Sequence, residues 1–113
     1  MEIRSSYQNQ GQTLIIDVGT KFDFSKVEDF RNAYDKIDDD VSHIAVDLSQ
    51  TEYMDSSALG MLLNMQKSLA NKELSYSIEN ARPQVAKILK ISRSIRNLTL
   101  SNGEVTAVKI LIV

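Results

Sequence analysis

The sequence predicts an α/β domain in which helices pack on one mixed β-sheet, in the order ββαβαβαβ with a closing segment that reads as strand or helix (α). Three observations predict it. Short apolar runs of strand length recur along the chain, several with period-two alternation. Between them lie longer stretches whose apolar residues fall three and four apart, the helical spacing. With only 4 Gly and 1 Pro in 113 residues, the composition suits packed elements rather than loops. A chain of this length that is 42% hydrophobic supports one modest core, so a single domain over residues 1–113 is expected.

The elements follow in order. "EIRSSYQ" (2–8) alternates weakly and "TLIIDVG" (13–19) is an apolar run closed by Gly; with "NQGQ" between them they read as a hairpin. "DFSKVEDFRNAYDKIDDD" sets Val27, Phe30, Ala33, Tyr34 and Ile37 at helical spacing behind Ser25, whose hydroxyl is suited to cap the first turn. In "HIAVDLS" the apolar Ile44, Val46 and Leu48 alternate, as in a strand. After "EYMDSSALGMLL" (52–63), Leu59, Leu62, Leu63, Gln66, Leu69 and Ala70 mark one face of a helix running to about Lys72. "ELSYSIEN" (73–80) is a further strand, and "ARPQVAKILKIS" a helix whose Pro83 sits in the first turn, where its missing N–H costs nothing. "IRNLTLS" (95–101) reads as a strand, and "EVTAVKILIV" (104–113) as either a strand or a short helix.

Charge and composition exclude several functions. The net charge is −2, the densest cluster is the acidic "DKIDDD" (35–40), and Lys and Arg are dispersed, so direct binding to nucleic acid is not expected. There is no cysteine, hence no disulfide and no thiol chemistry. Neither a leader pattern nor a run of about 18 apolar residues is present, which points to a soluble, cytoplasmic protein without a membrane span. "DKIDDD" lacks the spacing of a calcium loop and reads as a solvated helix end. No Gly-rich phosphate loop occurs, so no nucleotide, metal or other cofactor is expected.

The "MDSSALG" stretch (54–60) holds the chemistry. Asp and Ser are favoured helix caps, which accounts for Asp55, Ser56 and Ser57 in part. Yet Met54, Ala58, Met61 and Met65 add apolar groups beyond the Leu stripe, and adaptable Met side chains at a helix start suit either a core or a contact surface.

The run "VDLSQTEYMDSSALGMLL" resembles the signature of the STAS family, the anti-sigma factor antagonists, in which a strand leads into an Asp-Ser-Ser/Thr-Gly-Leu-Gly turn that opens a helix. "GTKFDFSKVEDFRNAY" and "ARPQVAKILKIS" are similar to other segments of the same family, so the resemblance spans nearly the whole chain and implies a STAS-like fold. Asp55, Ser56, Ser57, Leu59 and Gly60 fit the motif; Ala58 stands where Gly is common, and "ISRSI" where many members have Ser-Gly-Leu.

The resemblance implies that Ser56 is a phosphorylation site and that Asp55 shapes the turn and orients the hydroxyl for a kinase. The candidates for the partner surface are Asp55, Ser56, Ser57, Leu59, Gly60 and Met61 on the start of the helix, with Asp23 and Ser25 on the neighbouring loop. The implied partners are an anti-sigma factor that is also a serine kinase of the histidine-kinase-like ATPase fold, and a PP2C-type serine phosphatase. The unmodified protein then binds the anti-sigma factor and frees a sigma factor, and phosphorylation breaks the complex. A STAS protein acting on a biofilm regulator, a stressosome or a transport complex is the alternative within the family.

Physical chemistry is compatible with such a switch. A phosphate at a helix start meets free N–H groups and the positive end of the dipole, so it leaves the fold intact and acts on what binds there. It adds roughly −1.5 to −2 charges. A partner carboxylate about 5 Å away is repelled by about 3 kcal/mol per charge pair at an effective dielectric near 20, about a hundredfold in affinity.

Two rivals are weaker. A serine hydrolase needs a base and an oxyanion hole, but the single histidine, His43, opens a strand and no Gly-x-Ser-x-Gly elbow exists, so the chain is not expected to be an enzyme. A receiver-like phosphoacceptor domain would use Asp17 and Asp47 with a late Lys, yet Asp47 falls within its strand and Lys109 lacks a following Pro.

Overall fold

A computed structural model describes the backbone of residues 3–91, 98–101 and 104–107 and the side chains of residues 3–87. β1 (Arg4–Gln8) and β2 (Thr13–Asp17) form the expected antiparallel hairpin. Its turn places Asn9, Gln10 and Gly11 at positive φ, the last at +87°, where glycine is the least strained choice. The chain then alternates through β3 (Lys21–Phe22), α1 (Val27–Asp35), β4 (His43–Asp47), β5 (Tyr53–Met54), α2 (Ser56–Ser68), β6 (Ser75–Glu79), α3 (Pro83–Ile91), β7 (Leu98–Ser101) and β8 (Glu104–Ala107).

The main sheet has the order β1-β2-β4-β6-β8-β7. β2, β4 and β6 are parallel, as helical crossovers require, while β1, β8 and β7 join antiparallel and make the sheet mixed. The open question over residues 104–113 resolves for its first part. Glu104–Ala107 is a strand, because β8 pairs with β6 on one side and β7 on the other. Residues 95–97 and 108–113, and the departure at "ISRSI" from Ser92 onward, lie outside the described residues.

Alternation along the strands divides the sheet into two faces. Leu14, Ile16, Ile44, Val46, Tyr76 and Ile78 are buried and join one core cluster with Phe30 and Tyr34 of α1, Met61, Leu62 and Met65 of α2, and Val85 of α3. Each such side chain contributes about 1.5–3 kcal/mol of transfer free energy. Phe22, Phe30 and Tyr34 pack in series, the first pair tilted and the second edge-on, with ring centroids 5.2 and 5.6 Å apart.

The structure departs from the pattern read in the sequence in two places. β3 and β5, of two residues each, form a small parallel pair of their own, too short for any periodicity to reveal. And α1 is entered through a turn of 3-10 helix, Phe24–Lys26, whose cap is Asp23 rather than Ser25. Ser25 lies inside the turn and donates both its N–H and its hydroxyl to Asp23. Both residue types cap well, so sequence alone does not rank them.

Candidate functional site

The small β3/β5 pair builds the platform for the motif. Lys21 registers with Tyr53 and Phe22 with Met54, and both Phe22 and Met54 are buried. The approach to β5 is stitched to the β2–β3 loop. The buried hydroxyl of Thr51 donates to the Gly19 carbonyl at 2.7 Å, and the Glu52 and Tyr53 N–H groups both donate to the Thr20 carbonyl. Gly19 itself has φ +79°, and its N–H donates to the Asp17 carboxylate at 3.0 Å.

From this pair two helical starts leave side by side with nearly the same geometry. Asp23 (φ −138°, ψ −172°) caps the turn before α1, and Asp55 (φ −129°, ψ −175°) caps α2. Each Oδ1 accepts the N–H of the residue two further on, Ser25 or Ser57, at 3.0 Å, and that residue's hydroxyl as well. The Ser25 hydroxyl bond, above all, holds the Asp23 carboxyl below its usual range. Position for position, Asp23, Phe24 and Ser25 match Asp55, Ser56 and Ser57.

Ser56 is exposed at the first position of α2. The Asp55 carboxylate engages the part-buried hydroxyl of Ser57, not that of Ser56, and its second oxygen accepts the Tyr53 phenol at 3.3 Å. Asp55 therefore fixes the turn, and the hydroxyl it holds belongs to Ser57. The Asp55 charge is the largest cause of the raised Tyr53 pKa, with a smaller part from Asp23, so the phenol remains a donor near neutral pH.

Further along α2, Gly60 is exposed and Leu59 is partly buried against the core. Ser56, Gly60 and Asn64, four apart, are all exposed and form one outward stripe. Met61 is a correction to the expected partner surface. It is only 5% exposed and belongs to the core with Met54 and Met65. The buried positions Ala58, Met61, Leu62, Met65, Gln66 and Leu69 follow helical spacing but are rotated from the expected face. α2 packs beside α1 as well as into the core, which widens the apolar arc to take in the methionines. The helix ends at Ser68, and Ala70 is exposed beyond it.

Two residues beside the motif were not singled out by sequence reasoning. Phe24 is 72% exposed and Tyr53 49% exposed. Nothing in the pattern marks them, since an apolar residue near a strand end is by default assigned to the core.

On the other face of the sheet, His43 bridges two hydroxyls, with Nδ1 to Ser75 and Nε2 to Ser77 at 2.8 Å, and Ser77 donates to Glu79 at 2.7 Å. Burial lowers the His43 pKa, with Glu79 opposing. Asp17 and Asp47 register with each other at the strand ends, but each carboxylate binds a turn N–H, of Gly19 and Ser49 respectively. Among the described residues no group of three or more His, Cys, Asp or Glu side chains is arranged to hold a metal ion. None of the described helices is long and apolar enough to cross a membrane. Lys109 lies outside the described residues.

Comparison with known proteins agrees with this geometry. Solved structures share the fold, among them these three. The anti-sigma factor antagonist SpoIIAA in its unphosphorylated form aligns over 80% of this chain and 83% of its own, at 20% identity and TM-score 0.61. The Bacillus cell fate determinant SpoIIAA in its phosphorylated form aligns over 81% and 84%, at 20% identity and TM-score 0.62. An antisigma-factor antagonist STAS domain from Rhodobacter sphaeroides aligns over 74% and 92%, at 19% identity and TM-score 0.55. In sequence, a STAS-domain containing protein of Pseudomonas aeruginosa (strain UCBPP-PA14) is 39% identical over 92 residues, 81% of this chain and 91% of that protein. The family described as "Mlab, STAS domain" matches residues 5–99, most of the chain, and the chain therefore belongs to the STAS domain family.

Proposed function

We propose that this STAS domain is a cytoplasmic, phosphorylation-controlled partner switch that acts by binding and carries out no catalysis itself. In the unmodified state it binds an anti-sigma factor that is also a serine kinase, which releases a sigma factor. Phosphorylation of Ser56 breaks that complex, and a PP2C-type phosphatase restores it. The observation that carries the reading is the position of Ser56. It is exposed at the first turn of α2, while the cap of that turn is held by the neighbouring Asp55–Ser57 contacts. A phosphate there leaves the core and the cap untouched and stands at the positive end of the helix dipole. Its effect then falls on a partner. That SpoIIAA aligns equally well in its phosphorylated and unphosphorylated forms is in keeping with a modification that needs no change of fold.

The test has two parts. Intact-mass and peptide mass spectrometry of the protein from its native cells, with and without phosphatase, is expected to place one phosphate on Ser56. A phosphate on Asp47, with acyl phosphates preserved, would instead favour a receiver-like role. Affinity purification with Ser56→Ala and Ser56→Asp then identifies the target as the protein retained by the first and lost by the second. An anti-sigma factor is the expected identity. A subunit of a biofilm regulator, stressosome or transport complex assigns the switch to that target, and equal retention by both variants rejects the switch.

A further inference from the structure

We propose that two copies of this chain join edge to edge through β1, antiparallel about a two-fold axis at Ser6, with Tyr7 of each copy seated in the groove between β1 and α1 of the other. The proposal is independent of the reading of Ser56. It rests on an open strand edge, on a knob and a groove that complement each other across one axis, and on the charges beside them.

The edge comes first. β1 ends the main sheet, and among the described residues no strand pairs with its outer side. All five residues of Arg4–Gln8 are exposed. Every second residue of an edge strand turns its N–H and C=O outward, which makes a template for another strand. Proteins commonly blunt such an edge with Pro, Lys or a bulge. The strand "RSSYQ" contains neither residue, and it pairs with β2 without interruption from Arg4↔Asp17 to Gln8↔Thr13.

The register follows from the side chains. Ser5 and Tyr7 register with Ile16 and Leu14, which are both in the core, so they lie on the face that carries the helices. On that face Ile3, Ser5, Asp29, Asn32 and Ala33 line a groove of about 370 Å³. Tyr7, two residues further along, is 52% exposed. In an antiparallel pair centred on Ser6, Arg4 lies opposite Gln8 and Tyr7 opposite Ser5. Opposed side chains share a face, so each Tyr7 meets the groove of the other copy, with Ile3 and Ala33 against its ring and Asp29 and Asn32 near its phenol. A slip of one residue would turn Tyr7 to the face away from that groove.

Charge agrees with the same axis. α1 connects the end of β2 with the start of β4, whereas β1 runs antiparallel to β2, so α1 and β1 run in the same direction. Asp29 therefore stands beside Ile3 and Ser5, and the exposed Lys36, seven residues on and on the same helical stripe, stands toward Gln8. The two-fold axis reverses the second α1 and sets Asp29 of one copy toward Lys36 of the other. Glu28, Arg31 and Asp35 fall off that stripe by helical spacing. On the other face of the sheet Arg4 lies opposite the neutral Gln8, and in its own chain it registers with Asp17. No like charges are opposed along the seam, and the surface complements itself, as a two-fold contact requires.

The chain has no cysteine, so a single introduced one reports the register directly. Under mild oxidation of the full chain, Ser6→Cys is expected to form a disulfide-linked dimer, because directly opposed residues lie within bridging distance. Gln8→Cys alone should form none, since its two copies lie about 14 Å apart in this register, while an equal mixture of Arg4→Cys and Gln8→Cys should give the mixed dimer. Without cross-linking, sedimentation is expected to show a concentration-dependent dimer, and Tyr7→Ala to weaken it at least about tenfold. A chain that stays monomeric up to about 1 mM, or a Tyr7→Ala variant that dimerises as wild type, overturns the proposal. So does a dimer that Ser6→Cys fails to link, which would place the contact elsewhere, or a Gln8→Cys disulfide that forms as readily as that of Ser6→Cys, which would report random collision or another register.

Discussion

The two sides of α2 use the same few residues of sequence for opposite ends. Inward, Ala58, Met61, Leu62 and Met65 are buried in the core. Outward, Ser56, Gly60 and Asn64 face solvent and bury little of themselves. The inward side is fixed by volume, the outward side by chemistry that the fold does not use. The difference teaches that a helix can carry a switch without risk to its own stability, provided the switch stands on the stripe that packing leaves alone.

Substitutions on the two sides should therefore separate cleanly, and the largest effect belongs to the inner one. Met61→Ala is expected to lower stability by about 2–5 kcal/mol, through lost contacts and the cavity left behind. Urea unfolding checks it. A loss below about 0.5 kcal/mol, the range of ordinary surface substitutions, would mean that Met61 is not a core residue and would return it to the partner surface.

On the outer side, Ser56→Asp is expected to weaken partner binding by about a hundredfold, or about 3 kcal/mol, with the urea midpoint unchanged. Ser56→Ala should bind constitutively. Parallel titration calorimetry and unfolding curves read the two quantities independently. A Ser56→Asp protein that loses binding only because it unfolds would erase the contrast between the two sides.

Asp55 stands at the junction, so its removal should show in both readouts at smaller size. Asp55→Ala deletes the cap that accepts the Ser57 N–H and hydroxyl, and is expected to cost about 0.5–2 kcal/mol of stability. Asp55→Asn should recover most of that, since Asn caps nearly as well. If the two variants were equally destabilised, the charge rather than the cap would be holding the turn.

How much of this was legible in the sequence depended on what each residue is recognised by. The strand signal of Ile44 and Val46, and the cap chemistry of Asp55, are local signals and survive into the structure. The strand at Glu104–Ala107 was not decidable locally, because its identity comes from hydrogen bonds to β6 and β7. The place of Met61 was hidden for a related reason. A helix packed against a second helix as well as the sheet buries a wider arc than the Leu stripe marks, and only the tertiary arrangement says how wide. Phe24 and Tyr53 were missed because hydrophobicity predicts burial on average and says nothing of the residue that remains outside.

Gly60 gives the finest cut between the two sides. Glycine inside a helix costs about 0.8–1.0 kcal/mol relative to alanine, and here the fold gains nothing visible in return. A Cβ built at position 60 meets no atom within 4 Å, and the residue is not among those with positive φ. Gly60→Ala is therefore expected to raise stability by up to about 1 kcal/mol. If the outward stripe receives a partner at close range, the same methyl group should weaken binding several-fold, so that stability and affinity move in opposite directions. Such a split, read from the urea midpoint and the dissociation constant of one variant, would place the partner's backbone or a bulky side chain against the helix one turn beyond Ser56. Stability rising with affinity unchanged would confine the partner to the helix start and the aromatic pair beside it, and a loss of stability would mean that the outer side is packed after all.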